Sequence, residues 1–158
     1  MERILVFVDG SEGSILAARL AIVLAKRLGS KLYALSVINT RALSDLVQAH
    51  IFLESEREEY RRELAEDGLR YIRHAVEMGR RKGLEVTGLT ASGSIAASIK
   101  EKLAELKAGL LVIGPPPLIR SRRDALYDEV ETAIRTVDCS VLVARNEEVI
   151  ETLYRELA

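Results

Sequence analysis

Apolar residues fall along the chain in two rhythms. Short aliphatic runs, "RILVFVD" (3–9), "KLYALSVI" (31–38), "LEVTGLT" (84–90), "GLLVIG" (109–114) and "SVLVAR" (140–145), read as strands. Most lack strict alternation, the pattern of parallel strands covered on both faces. Between them apolar positions recur at helical spacing.

"ILAARLAIVLAKRLG" is apolar nearly all round, which predicts a buried first helix. Ser11 or Ser14 caps it and Gly29 stops it. The region 42–82 predicts the longest helical stretch, with a break near Ser55. Leu64, Gly68, Tyr71, Ile72, Ala75 and Gly79 form its apolar stripe, and Glu and Arg alternate on the opposite, solvated side. "SIAASIKEKLAELKA" (94–108) predicts a helix closing at Gly109, and residues 122–137 predict another. The tail carries Val149, Ile150, Leu153, Tyr154 and Leu157 at helical spacing behind Asn146 as cap. Strict strand–helix alternation predicts an α/β fold, a three-layer α/β/α sandwich around a five-stranded parallel sheet with right-handed crossovers. Residues 1–145 read as one α/β domain and 146–158 as a C-terminal amphipathic helix extending it.

A chain of 158 residues can bury one substantial core. Its net charge of −1 gives no global attraction to nucleic acid or anionic lipid, and the absence of Trp argues against base-stacking platforms. No nucleic-acid and no membrane partner is expected. The single cysteine, Cys139, excludes an intrachain disulfide and fits a reducing compartment. The opening "MERILVFVDG" has too short an apolar run for a signal peptide, and no run is long enough to span a bilayer, so the expected location is cytoplasmic. Beside Asp138, Cys139 reads as a small hydrophobe and not as a reactive thiolate. His50 and His74 have no metal-ligand spacing, so no metal site is expected.

In parallel sheets ligands settle at the C-terminal strand ends, where strand order reverses. "VDGSEGS" after the first strand and "GPPP" after the fourth meet there if the order is 3-2-1-4-5. The third strand ends "LTASGS", without the acceptor Asp of a receiver domain. "DGSEGS" lacks dinucleotide-binding spacing, and no hydrolase elbow is present. No catalytic residue is assigned.

Over residues 2–145 the chain resembles the universal stress protein family. "ILVFVDGSEGSILAARLAIVLAKRLGSKLYALSVI" is similar to the family's opening, and "LLVIG" followed by "CSVLVAR" to its close. The resemblance implies an adenine nucleotide alpha hydrolase-like fold. It also implies, for the nucleotide-binding branch, G-x2-G-x9-G-[S/T] after the fourth strand. The first glycine is Gly114; the other three positions fall on Pro117, Tyr127 and Asp128. Imino acids, a ring and a carboxylate replace the main-chain donors and the hydroxyl that would hold phosphates. By the same resemblance Asp9 meets the sugar and Val37 the adenine. Arg120 and Arg122, with Arg123 beside them, offer a substitute guanidinium clamp. Against these stand structural readings: Asp9 as a turn brace, the arginines as a solvated loop, and Pro115–Pro117 as a stiff connector.

The expectation is a non-catalytic, homodimeric stress-response or regulatory domain. It needs no cofactor, does not bind ATP in the family's usual way, and acts on a protein partner that the sequence leaves unknown. The alternative is an adenine-nucleotide binder, for ATP or AMP, using the arginines and working as a slow ATPase. The resemblance implies dimerisation through the last strand, Ser140, Val141, Leu142 and Val143, with the C-terminal helix as a second contributor. An apolar edge strand needs such cover.

Overall fold

In the computed structural model, which describes residues 1–50, 53–116 and 129–158, the side chains of each inner strand divide between two cores. The strands are β1 (Arg3–Phe7), β2 (Lys31–Ile38), β3 (Val86–Ser92), β4 (Leu110–Ile113) and β5 (Ser140–Val143). Among the described residues they form one parallel sheet in the order β3-β2-β1-β4-β5. Ile4, Val6, Leu32, Ala34, Leu110 and Val112 face one layer, and Leu5, Phe7, Leu35, Leu111 and Ile113 the other. Both faces are dry, so the runs need no polar alternation.

The helices are α1 (Glu12–Leu28), α2 (Thr40–Gln48), α3 (Glu54–Arg80), α4 (Ile95–Leu106), α5 (Glu129–Thr136) and α6 (Glu147–Glu156). α1, α3 and α6 cover the first face; α4 and α5 cover the second. The order 3-2-1-4-5 follows from this arrangement. Right-handed crossovers carry the chain outward from β1 over one face, then back past it over the other. The turn where the direction reverses lies between β1 and β4.

Local chemistry sets most helix ends. Ser11 caps α1 by accepting from the Ser14 amide at 3.1 Å, and Gly29 closes it at φ 68°, in the left-handed region. Asn146 caps α6 through the Val149 amide at 3.2 Å. The third predicted helix closes differently: α4 stops at Leu106 and Lys107 itself turns left-handed at φ 53°, while the Gly109 amide starts β4 by donating to the Arg3 carbonyl at 3.1 Å. The stretch 42–82 is two helices, and the break lies before Glu54. β3 begins two residues later than the sequence reading, at Val86. The predicted start of the fourth helix at 122 lies outside the described residues.

The stripe of α3 is small for a reason. A Cβ at Gly68 would stand 2.9 Å from the Ser36 Oγ, and one at Gly79 would strike Val86, so the helix lies very close to β2 and β3. α6 is held to the first layer by Ile150 and Tyr154, while Val149 stays half-exposed. The Tyr154 hydroxyl donates to the Met78 carbonyl at 2.8 Å, and its ring lies between Lys82, 4.7 Å from the centroid, and Arg19, 5.9 Å away. No helix among the described residues is long and apolar enough to cross a membrane.

Candidate functional site

The switch point between β1 and β4 opens a cleft of about 340 Å³, lined by Phe7, Asp9, Ser11 and Ser14 on one side and Ile113, Gly114, Pro115 and Pro116 on the other, with Val130 from α5. Two of the residues expected at the site, Asp9 and Gly114, therefore meet. Val37 lies on the same sheet face as the cleft, half-buried against the second core, and is not among the residues that line it. Arg120 and Arg122, like Pro117, Tyr127 and Asp128, lie outside the described residues.

Asp9 is engaged locally. Its Oδ1 accepts from the Ser11 amide at 3.0 Å and from the Ser11 hydroxyl at 2.6 Å. The same Ser11 hydroxyl caps α1, and the buried Ser14 hydroxyl receives the Asp9 amide at 3.2 Å while donating to the Ser11 carbonyl at 3.0 Å. Short-range bonds hold the turn, as in Asp and Ser turns generally. Gly114 also has a packing task. A Cβ there would sit 2.7 Å from both the carbonyl carbon and oxygen of Gly13, and 3.1 Å from the Ser14 amide nitrogen. The exit of β4 thus touches the first turn of α1, backbone against backbone. Pro115 continues that contact, 3.1 Å from where a Gly13 Cβ would be.

The sequence reading missed one organising residue, Glu129 at the start of α5. Its carboxylate accepts from the Asn39 side-chain amide at 2.7 Å, the Ser94 hydroxyl at 2.5 Å and the Ile95 amide at 3.1 Å. Asn39 caps α2 and Ser94 caps α4, so one carboxylate ties three helix starts together. The positive end of α4 favours a negative charge, and a charged acceptor strengthens each bond. This cluster borders a second cavity of about 280 Å³ that also meets Arg41 and Asp45. Asn39 and Ser94 were readable as caps after β2 and β3. Their shared partner, about ninety and thirty-five residues away, was not.

Cys139 is half-buried against the second core, and burial foremost, with Asp138 adding repulsion, raises its pKa above the ordinary thiol range. That agrees with the inert reading. His74 is exposed, and no group of three or more His, Cys, Asp or Glu able to hold a metal ion occurs among the described residues.

Residues 1–145 match the model of the universal stress protein family. The chain belongs to that family. It is 31% identical to a universal stress protein of Staphylococcus haemolyticus over 159 residues, covering 99% of this chain and 92% of the relative. The fold is similar to that of the universal stress protein UspA from Lactobacillus plantarum, with a TM-score of 0.70, 20% identity, and coverage of 90% of this chain and 97% of that one. It is also similar to a universal stress protein solved in complex with cAMP, with a TM-score of 0.68, 20% identity, and coverage of 91% and 97%.

Proposed function

We propose that this universal stress protein is a non-catalytic regulatory module whose cleft does not cradle a nucleoside triphosphate. The observation that carries the reading is the wall after β4. Pro115 and Pro116 line the cleft where phosphates would need main-chain N–H donors, and proline has none. Two further features support it. The Asp9 carboxylate is already bonded within its turn, and the N-terminus of α4 already carries the carboxylate of Glu129.

A second reading rests on the cleft itself. Its 340 Å³ is within the size range of small-molecule sites, and a similar universal stress protein holds cAMP. A nucleoside or monophosphate makes less demand on the β4 loop than ATP does. In this reading Arg120 and Arg122 supply the phosphate donors.

On either reading we place the protein in the cytoplasm as a homodimer joined through β5. The Ala144 amide donates inward to Ile113 at 2.9 Å. By alternation the amides of Val141 and Val143 point away from β4 and are available to a second copy. Leu142 packs toward the first core, so the pairing would rest on backbone and not on that side chain.

Thermal unfolding with Mg²⁺ and ATP, AMP or cAMP tests the assignment. A ligand at a hundredfold its Kd adds about 2.7 kcal/mol. For a chain of this size that is roughly 5–10 °C in Tm. No shift with ATP is expected. A shift of that size with ATP refutes the first reading, and one with AMP or cAMP alone selects the second.

A further inference from the structure

The β1–α1 turn has a cavity on its other side. Between α1 and α3 lies a pocket of about 320 Å³ whose floor is Val8, Ala18, Ala75 and Met78, all of them buried. It opens on the opposite sheet face from the Asp9–Gly114 cleft and shares only Ser14 with it. The Ser14 hydroxyl is committed within the turn, so the floor offers a ligand no hydrogen bond. A nucleobase seated there would bury polar edges without partners, at a cost.

The rim is different. Arg70, Tyr71 and His74 stand together on successive turns of α3. The Tyr71 ring lies against Gly10, which has φ 80° and no room for a Cβ beneath that ring. Among the described residues neither the Tyr71 hydroxyl nor the His74 ring has a partner. Arg70 gives one terminal nitrogen to Asp67, which leaves its other N–H groups available. The result is an apolar hollow with donors gathered at one mouth, the usual plan of a small-molecule site.

We propose that this pocket binds a small apolar carboxylate, its hydrocarbon body on the floor and its carboxylate on Arg70 with Tyr71 or His74. The ligand class follows from the rim, which offers an anionic oxygen pair the donors of Tyr71 and His74 and the free N–H groups of a guanidinium whose charge is shared with Asp67. Its size follows from the volume, since a cavity of about 150 Å³ takes benzene and this one has room for a fused pair of rings. The site is independent of whether the cleft binds nucleotide.

The test is a titration of the full chain with 2-naphthoate and, separately, with its uncharged carboxamide, followed by backbone amide NMR. Saturable shifts should cluster at Gly10, Ile15, Tyr71 and His74. The acid should bind about tenfold more tightly than the amide, the size expected of one charge-assisted contact. Arg70→Gln, at an exposed position, should bring the acid down to the amide and leave the amide unchanged. The proposal is overturned by the absence of saturable shifts, by shifts centred on Asp9 and Ile113, by equal affinities of acid and amide, or by an Arg70→Gln variant that keeps the preference.

Discussion

Gly114 is the position at which a packing role and a phosphate-binding role can be separated. The replacement Gly114→Ala adds one methyl group. That carbon would sit 2.7 Å from the Gly13 carbonyl carbon and oxygen, closer than real Cβ atoms approach anything, and 3.1 Å from the Ser14 nitrogen. All three atoms are backbone of the α1 start. The Ser11 cap and the Asp9–Ser14 bonds hold that start in place, so relief requires moving a helix terminus and not rotating a side chain. Overpacking of this kind costs about 1–3 kcal/mol. Alanine also restricts the unfolded chain, which returns about 0.4–1 kcal/mol. The net loss should be about 1–2 kcal/mol, or roughly 2–8 °C in Tm at this chain length. Gly109→Ala is the control. Its Cβ would meet only the flexible Met1 side chain, at 3.8 Å, so the same substitution should be neutral or slightly stabilising. Urea and thermal denaturation by circular dichroism, without any ligand, measure both. A Gly114→Ala protein as stable as the parent would refute the packing argument and return Gly114 to a purely ligand-facing role.

Val143→Pro removes one outward amide of β5, where an edge strand tolerates proline, so light scattering should report a monomer with little loss of fold; a persistent dimer would place the interface elsewhere. Tyr154→Phe loses the bond to Met78 while keeping the ring between Lys82 and Arg19, and should cost about 1 kcal/mol in urea denaturation, against about 3–5 for Tyr154→Ala, which also empties the site. Equal effects of the two would mean the ring contributes nothing. Because the folded state holds the Cys139 proton above the ordinary thiol range, alkylation by iodoacetamide near pH 8 should be slower than in urea. By the same linkage, stability present below the unfolded thiol pKa should decline as pH rises through the higher folded one; faster alkylation of the folded protein would contradict this.

Strands, helices and their order were readable from the chain because each depends on residues near one another in sequence. Aliphatic runs without alternation imply a sheet buried on both faces, and β1 and β4 are buried on both. Ser11, Gly29 and Asn146 act within a few residues of themselves, so their roles could be read directly. The family resemblance needed no more than the same local runs. Where two local signals competed, the sequence reading slipped. Gly109 looked like a helix stop, but the chain spends Lys107 on the left-handed turn and uses Gly109 to begin β4.

The site depended on contacts between distant segments, and no local rule carries those. Asp9 and Gly114 face each other only because the sheet reverses direction between β1 and β4. Val37, expected beside the adenine, lies on the cleft's own face of the sheet, half-buried against the second core. Gly114 is small because the Gly13 backbone, about a hundred residues earlier, occupies the space a side chain would need. Glu129 matters because three helix starts converge on one carboxylate, and the pocket behind the turn exists because α3 brings Arg70, Tyr71 and His74 with Ala75 and Met78 against Val8, at the exit of β1, and Ala18 of α1. Propensity and periodicity act over one or two turns of chain, so they specify elements. Close approach, shared hydrogen bonds and cavities are properties of pairs far apart in sequence, and only the packed structure decides them.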